Sequence, residues 1–357
     1  MDYVVTGLYA RRMLRSLRCD RGAAIIPLSW SRSVGSIRSG AYTPLTEEDC
    51  TRLGMQNVPT KKHPMKVIVP DACKRFCRRD EIESQVLSKA IPGKLFVKVS
   101  PQIAIAGPEL LFIDAVATLP LHRALLLGME LCGTYSLRQS FPSGERPVYG
   151  IEPATTVDNI SKAIKYLSGS RFRGAGRAKD VLPLLMEGSA SPMESVLALM
   201  LRLPIRRGGL GLGIPQLNPV IPIDDSYRRF TSMESFRPDI YFERIPIDLE
   251  YESEEFHPDL GDLDMLDAES RAAILKKSQS DKQRMRLIQS VGIRVFQVTY
   301  EDFKTDEAFD RFIEQLLKQI EDLTGSSMNA RLKKLGEKTA VQRRSILLAS
   351  MLKNREA

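Results

Sequence analysis

The chain has 357 residues, 43% of them hydrophobic and 27% charged, which places it with folded proteins and not with disordered chains. At about 100–200 residues per domain there is room for two or three domains. No apolar run approaches the ~20 residues needed to cross a bilayer. The opening stretch MDYVVTGLYARRMLRSLRC lacks the continuous apolar segment of a signal peptide, so no membrane partner and a cytoplasmic location are expected.

The formal charge of +8 is unevenly spread. Basic clusters fall at residues 9–18, 73–79, 171–179 and 201–209, whereas 248–269 is strongly acidic. A nucleic-acid partner fits this balance, and so do ordinary solvated faces. The five cysteines have no regular spacing, and nothing near Cys73 and Cys77 completes a four-ligand zinc site. Reduced thiols are expected.

In chain order, residues 1–18 read as a short helix with Leu8, Met13, Leu14 and Leu17 on one face and arginines opposite. Residues 19–60 are rich in Ser, Gly, Pro and Thr and read as irregular. Residues 63–71 and 93–100 alternate like strands. The run 102–136 reads as a strand, a Gly-Pro break and two apolar helices. Residues 157–169 and 176–188 are helices ending at glycine, and 189–204 is an apolar helix with Glu194 in its first turn. RRGGLGLG, 206–213, follows a helix and lacks the Lys-Ser/Thr of a phosphate-cradling loop, so it reads as a turn. Strands are expected at 214–223, 238–243, 245–252 and 293–303, with helices over 269–292 and 306–325 and a basic helical tail.

This order predicts an α/β protein: a mixed four-stranded sheet flanked by helices, preceded by a smaller α+β region. The expected divisions are 1–157, which would position a substrate or partner, a helical connector at 158–188, a main domain at 189–325 and a tail at 326–357.

The acidic stretch RPDIYFERIPIDLEYESEEFHPD, residues 237–259, is either a solvated edge or a cation site. Asp239 begins a strand, and Glu250 and Glu252 lie two apart on the next, pointing the same way. Asp248 is assigned to the opposite face, and Glu254 and Glu255 to solvent. Converging carboxylates repel one another, and Mg²⁺, which takes oxygen ligands and keeps several waters, would remove the conflict.

The ordered set Glu194 in SPMES, Asp239 in PDIYF, Glu250 and Glu252 in DLEYES, His257, Asp281 and Arg284 in SDKQR, and the strand GIRVFQVTYEDF resembles the PD-(D/E)xK nuclease superfamily. The likeness is to its very-short-patch-repair-like endonuclease domains and covers about a third of the chain. It implies a restriction-endonuclease-like core and a Mg²⁺-dependent endodeoxyribonuclease, with Mn²⁺ as a substitute metal. Glu194, Asp239 and Glu250 would hold the metal, and Asp239, Glu250, Glu252 and His257 would carry catalysis. Arg284, Lys282, Arg206 and Arg207 would contact DNA phosphates, and Asp281 would support the site. Glu252 stands where the superfamily name implies lysine, which keeps open an alternative: a non-catalytic DNA-binding or antitoxin-like regulator. TGLYARRMLRSLR and IAIAGPELLFIDAVATLPL resemble abortive-infection AbiEi-type proteins, with Gly107 in place of the usual serine; a bacterial defence or repair setting is what that likeness implies.

Overall fold

A computed structural model describes residues 3–21, 45–53, 55, 57–69, 72–76, 79–86, 93–99, 103–138, 146–168, 172–231, 233–252, 279 and 282–353. The protein is mixed α/β and divides into two compact units. The first comprises Met1–Ser195 with Lys353–Ala357, and the second Val196–Leu352.

In the first unit the elements run β1 (Tyr3–Thr6), α1 (Gly7–Arg21), α2 (Glu47–Arg52), β2 (Met65–Val69), β3 (Ile82–Val86), β4 (Phe96–Lys98), β5 (Ile103–Ala106), α3 (Pro108–Thr118), α4 (Leu121–Leu131), β6 (Tyr135–Ser136), β7 (Val148–Tyr149), α5 (Val157–Leu167) and α6 (Ala175–Val181). Strands β3-β2-β1-β5-β4 form one sheet. β1 lies at its centre, antiparallel to β2 and parallel to β5. The strand YVVT was read as part of the opening helix. Its four residues are too few to show alternation, and its identity comes from pairing on both edges. The predicted break at Gly107-Pro108 is present, with proline opening α3. α3 is buried along Pro108–Val116, its apolar residues together with Glu109 and Asp114. Gly107 cannot be serine here without movement: a Cβ would stand 2.7 Å from the Leu95 carbonyl oxygen, which accepts the Gly107 amide at 2.7 Å.

Residues 158–188, expected as a connector, belong to this unit. Ile160, Ala163, Ile164 and Leu167 of α5 are buried, and α5 and α6 both pack on α3.

A larger correction concerns α1. Met13 and Leu14 of its apolar face are buried, yet so are Arg11, Arg15 and Arg18 on the face opposite, and Leu8 is 37% exposed. Burial of a guanidinium is tolerable only with partners. Glu130 accepts from Arg15 Nε at 2.9 Å and Nη2 at 2.6 Å, and from the Leu137 amide at 3.0 Å. Arg18 donates to the carbonyls of Glu130, Gly133 and Glu152. The basic cluster at 9–18 is therefore largely an internal framework that ties α1 to the end of α4. Glu130→Ala leaves a buried guanidinium without its counter-charge and should cost about 3–5 kcal/mol. Urea denaturation should show the midpoint falling at unchanged slope.

The second unit continues with α7 (Pro192–Arg202), which begins in the first, then β8 (Gln216–Leu217), β9 (Ile221–Pro222), β10 (Ser235–Phe236), β11 (Ile240–Phe242), β12 (Ile247–Glu252), α8 (residues 282–290), β13 (Arg294–Thr299), α9 (Glu301–Lys304), α10 (Asp306–Thr324), α11 (Asn329–Leu335) and α12 (Lys338–Lys353). The order β13-β12-β11-β8 makes the expected mixed four-stranded sheet, with β12 and β13 parallel and the other pairs antiparallel. The predicted strand 214–223 is two short strands, the second of which pairs with β10 in a separate ribbon. α11 and, up to Leu352, α12 of the basic tail belong to this unit.

One face of the sheet carries an aromatic cluster. Phe296 of β13 meets Phe312 of α10 edge-on at 5.7 Å, and Tyr251 of β12 lies 6.5 Å from Phe303 of α9. On the other side Leu287 and Ile288 of α8 pack with Ile223, Phe236 and Ile293. The RRGGLGLG turn serves packing at its first two glycines: a Cβ on Gly209 would lie 2.1 Å from the Leu203 carbonyl oxygen and one on Gly208 2.7 Å from that of Arg343, so both allow close backbone approach.

Candidate functional site: an acidic cluster at the end of a strand pair

Alternation along β12 sends Leu249 and Tyr251 to one face and Asp248, Glu250 and Glu252 to the other. The assignment of Asp248 to the opposite face is wrong: it lies two residues from Glu250 and shares its side. Asp248 is fully buried, paired across the sheet with Tyr241 on one edge and Val295 on the other. Neither of its carboxyl oxygens has a hydrogen-bond partner among the described residues. Burial, then the carboxylate of Glu250 within hydrogen-bonding reach, then Asp239, push its pKa far above the usual carboxylate range, against a smaller opposing pull from Arg284. Protonated, Asp248 can donate to Glu250.

Asp239 stands one residue before β11. Its Oδ2 accepts the Tyr251 amide at 3.0 Å, and its own carbonyl accepts the Asn218 amide at 3.0 Å. The side chain so binds β12 just beyond the point where the β11 ladder ends, which puts Asp239 on the same cluster as Asp248 and Glu250.

Arg284 closes the cluster. Leu287 and Ile288, one turn further along α8, anchor that helix in the core and aim Arg284 at the sheet. Its Nη1 donates to Glu250 Oε1 at 2.8 Å and to the Arg237 carbonyl at 2.8 Å, while Nη2 pairs with Glu250 Oε2. This two-pronged geometry suits a guanidinium and would not suit lysine. Despite burial, Glu250 and then Asp239 raise the Arg284 pKa. Arg284 was expected on a phosphate; in the structure it neutralises Glu250.

Glu252 is half-buried and accepts from Gln297 Nε2 at 2.6 Å. Lys282 is exposed on α8, and Arg206 and Arg207 are exposed in a short 3-10 turn at Ile205–Arg207. Glu194 lies in the first unit, where its Oε2 accepts the Ala190 amide at 2.9 Å and its own amide bonds Ser191 Oγ at 3.1 Å, a helix-capping arrangement at the start of α7. His257, Asp281, Glu254 and Glu255 lie outside the described residues.

Among the described residues, no group of three or more His, Cys, Asp or Glu side chains is arranged to hold a metal ion as it stands, and no helix is long and apolar enough to cross a membrane. Among the cysteines so described, Cys19, Cys50, Cys73 and Cys132 form no disulfide. What the cluster offers chemically is three carboxyls of unlike state: Asp239 held by an amide, Glu250 held by a guanidinium, and Asp248 facing Glu250 with neither an amide nor a cation bonded to it among the described residues. Comparison of the chain with protein-family models, with curated proteins and with solved structures finds no match.

Proposed function

We propose that the second unit has a restriction-endonuclease-like core and acts as a metal-dependent endonuclease on DNA. The observation that carries the reading is Asp248, a fully buried carboxyl with two unpartnered oxygens beside Glu250 and Asp239. A divalent cation would relieve that arrangement. Hard oxygen donors suit Mg²⁺ or Mn²⁺, and Asp239, Glu250 and Asp248 are the residues that would hold the ion. When bound, it would activate water and neutralise charge on the scissile phosphate. Glu250 must release Arg284 to take part, and Arg284 is then free to meet a phosphate oxygen through the same two nitrogens. Arg206, Arg207 and Lys282 are exposed cations suited to the DNA backbone.

The test joins calorimetry of Mg²⁺ and Mn²⁺ binding to a plasmid-nicking assay, with wild type compared against Asp239→Ala/Glu250→Ala. Binding and nicking should both disappear in the double variant. A folded wild type that binds neither ion would sink the enzymatic reading.

A second reading is favoured by a different observation. The Arg284–Glu250 fork already compensates one carboxylate, as in a nuclease-like fold kept for nucleic-acid recognition without catalysis. Salt-dependent DNA binding without metal uptake or nicking is its signature.

A further inference from the structure

Residues 326–353 carry seven Lys and Arg residues against a single acid, Glu337, so α11 and α12 form a strongly cationic pair. Helical spacing sorts the sixteen residues of α12 onto two faces. Ala340, Arg344, Leu347, Leu348 and Met351 are buried. Lys338, Thr339, Gln342, Arg343 and Ile346 are exposed and lie along one face, and α12 itself has no acid. Ile346, at 62% exposure, sets an aliphatic side chain in that otherwise polar face.

Arg344 fixes the helix from behind. Its Nη1 donates to the Leu335 carbonyl at the end of α11 at 3.0 Å, and its Nη2 pairs with Asp310 of α10 at 2.5 Å. The Ile205–Arg207 turn is seated against the same helix. A Cβ on Gly208 would stand 2.7 Å from the Arg343 carbonyl oxygen and 3.1 Å from Leu347 Cβ. Arg206 and Arg207, exposed on that turn, therefore stand beside α12 at the level of Arg343. Arg331 of α11 holds the loop that follows, donating to the carbonyls of Leu210 and Gly211 at 2.8 Å each.

Cations alone would suit any polyanion, but the rest of the face is more particular. Gln and Arg are the side chains whose paired polar groups match the edges of adenine and guanine, and an exposed aliphatic matches the thymine methyl. The major groove of B-DNA offers these edges together, admits one α-helix, and is bounded by phosphates.

We propose that α12 lies in the major groove of duplex DNA, with Gln342 and Arg343 on base edges, Ile346 on a thymine methyl, and Lys338, Arg206 and Arg207 on phosphates. The proposal rests on the reading above only for DNA as the ligand of the second unit. No residue of the acidic cluster takes part, and the nuclease reading fails separately, by metal binding and nicking.

The experiment is fluorescence anisotropy of the full chain, in chelator, on a labelled pool of random-sequence duplex DNA and on duplex RNA of the same design. The DNA should bind with an affinity that falls as salt rises. The RNA should bind at least about tenfold more weakly, because side chains cannot read the deep, narrow A-form major groove. Arg206→Ala/Arg207→Ala should weaken all sequences alike and lower the salt slope by about two. Rounds of selection from the DNA pool should enrich one short motif, and Gln342→Ala/Arg343→Ala should abolish that enrichment. Ile346→Asp puts a carboxylate into the groove and should cost about tenfold or more in affinity. An unchanged melting temperature shows that it folds; if it does not, the two double variants carry the test. No binding of duplex DNA, equal binding of RNA, an unenriched pool, or an affinity and motif unmoved by the α12 variants that fold would each overturn the proposal.

Discussion

Arg284→Ala should destabilise the protein in chelator by about 2–3 kcal/mol, and Mg²⁺ should restore most of that loss. Removing one member of a buried ion pair strands the other, typically at about 3–5 kcal/mol. The lower figure applies because the Arg284 side chain is 27% exposed while that of Glu250 is 7% exposed, so water screens part of the interaction. Without Arg284, the cluster of Asp239, Asp248 and Glu250 has lost the guanidinium that offsets its charge. A cation that binds the folded state alone adds RT ln(1 + [L]/Kd), or about 2.7 kcal/mol at a hundredfold excess over Kd. Urea titrations in chelator, Mg²⁺ and Mn²⁺ read this directly. Rescue by either ion, absent in an Asp239→Ala/Arg284→Ala double variant, supports a metal site in the cluster. Destabilisation that no divalent ion reverses supports the recognition reading, in which Arg284 is a permanent counter-charge.

Asp248→Asn should stabilise the protein relative to wild type at pH 8 and much less at pH 5. Asp248 has a folded-state pKa raised above its unfolded value of about 3.9, through burial first and then Glu250 and Asp239. A raised pKa favours folding only while the unfolded chain is also protonated. The advantage is therefore full below about pH 4 and is lost as pH rises toward the folded-state pKa. Each pH unit inside that window removes about 1.4 kcal/mol from the wild type, whereas asparagine carries no such proton. A difference of about 2–4 kcal/mol between the two pH values is expected, and the Asn amide can still donate to Glu250. Denaturation midpoints at pH 5 and 8 decide it. A gap that does not change with pH would mean that Asp248 is ionised like its neighbours.

Asp248 also shows how a legible signal is misread. IDLEYE places acids at every second position, and a period of two puts all three on one side. Nothing beyond that spacing was required. The pairing of Glu250 with Arg284 is different in kind. Those residues stand 34 positions apart, and their meeting depends on Leu287 and Ile288 seating α8 against β9 and β10. No local pattern encodes that.

What the sequence determined by itself is what short-range physics controls. Proline after Gly107 opens α3, the Thr156 hydroxyl caps α5 on the Asn159 amide, and Thr305 and left-handed Gly325 bracket α10. The strands Met65–Val69 and Ile247–Glu252 likewise sit where residue type and alternation put them. The tertiary structure alone decided which polar groups are internal. Arg11, Arg15 and Arg18 read as a solvated face on hydropathy, yet α1 turns them inward, with Glu130 opposite Arg15 and backbone carbonyls receiving Arg18. Hydropathy scores a residue against water, whereas burial of a charge depends on the partners that meet it, and those come from distant parts of the chain.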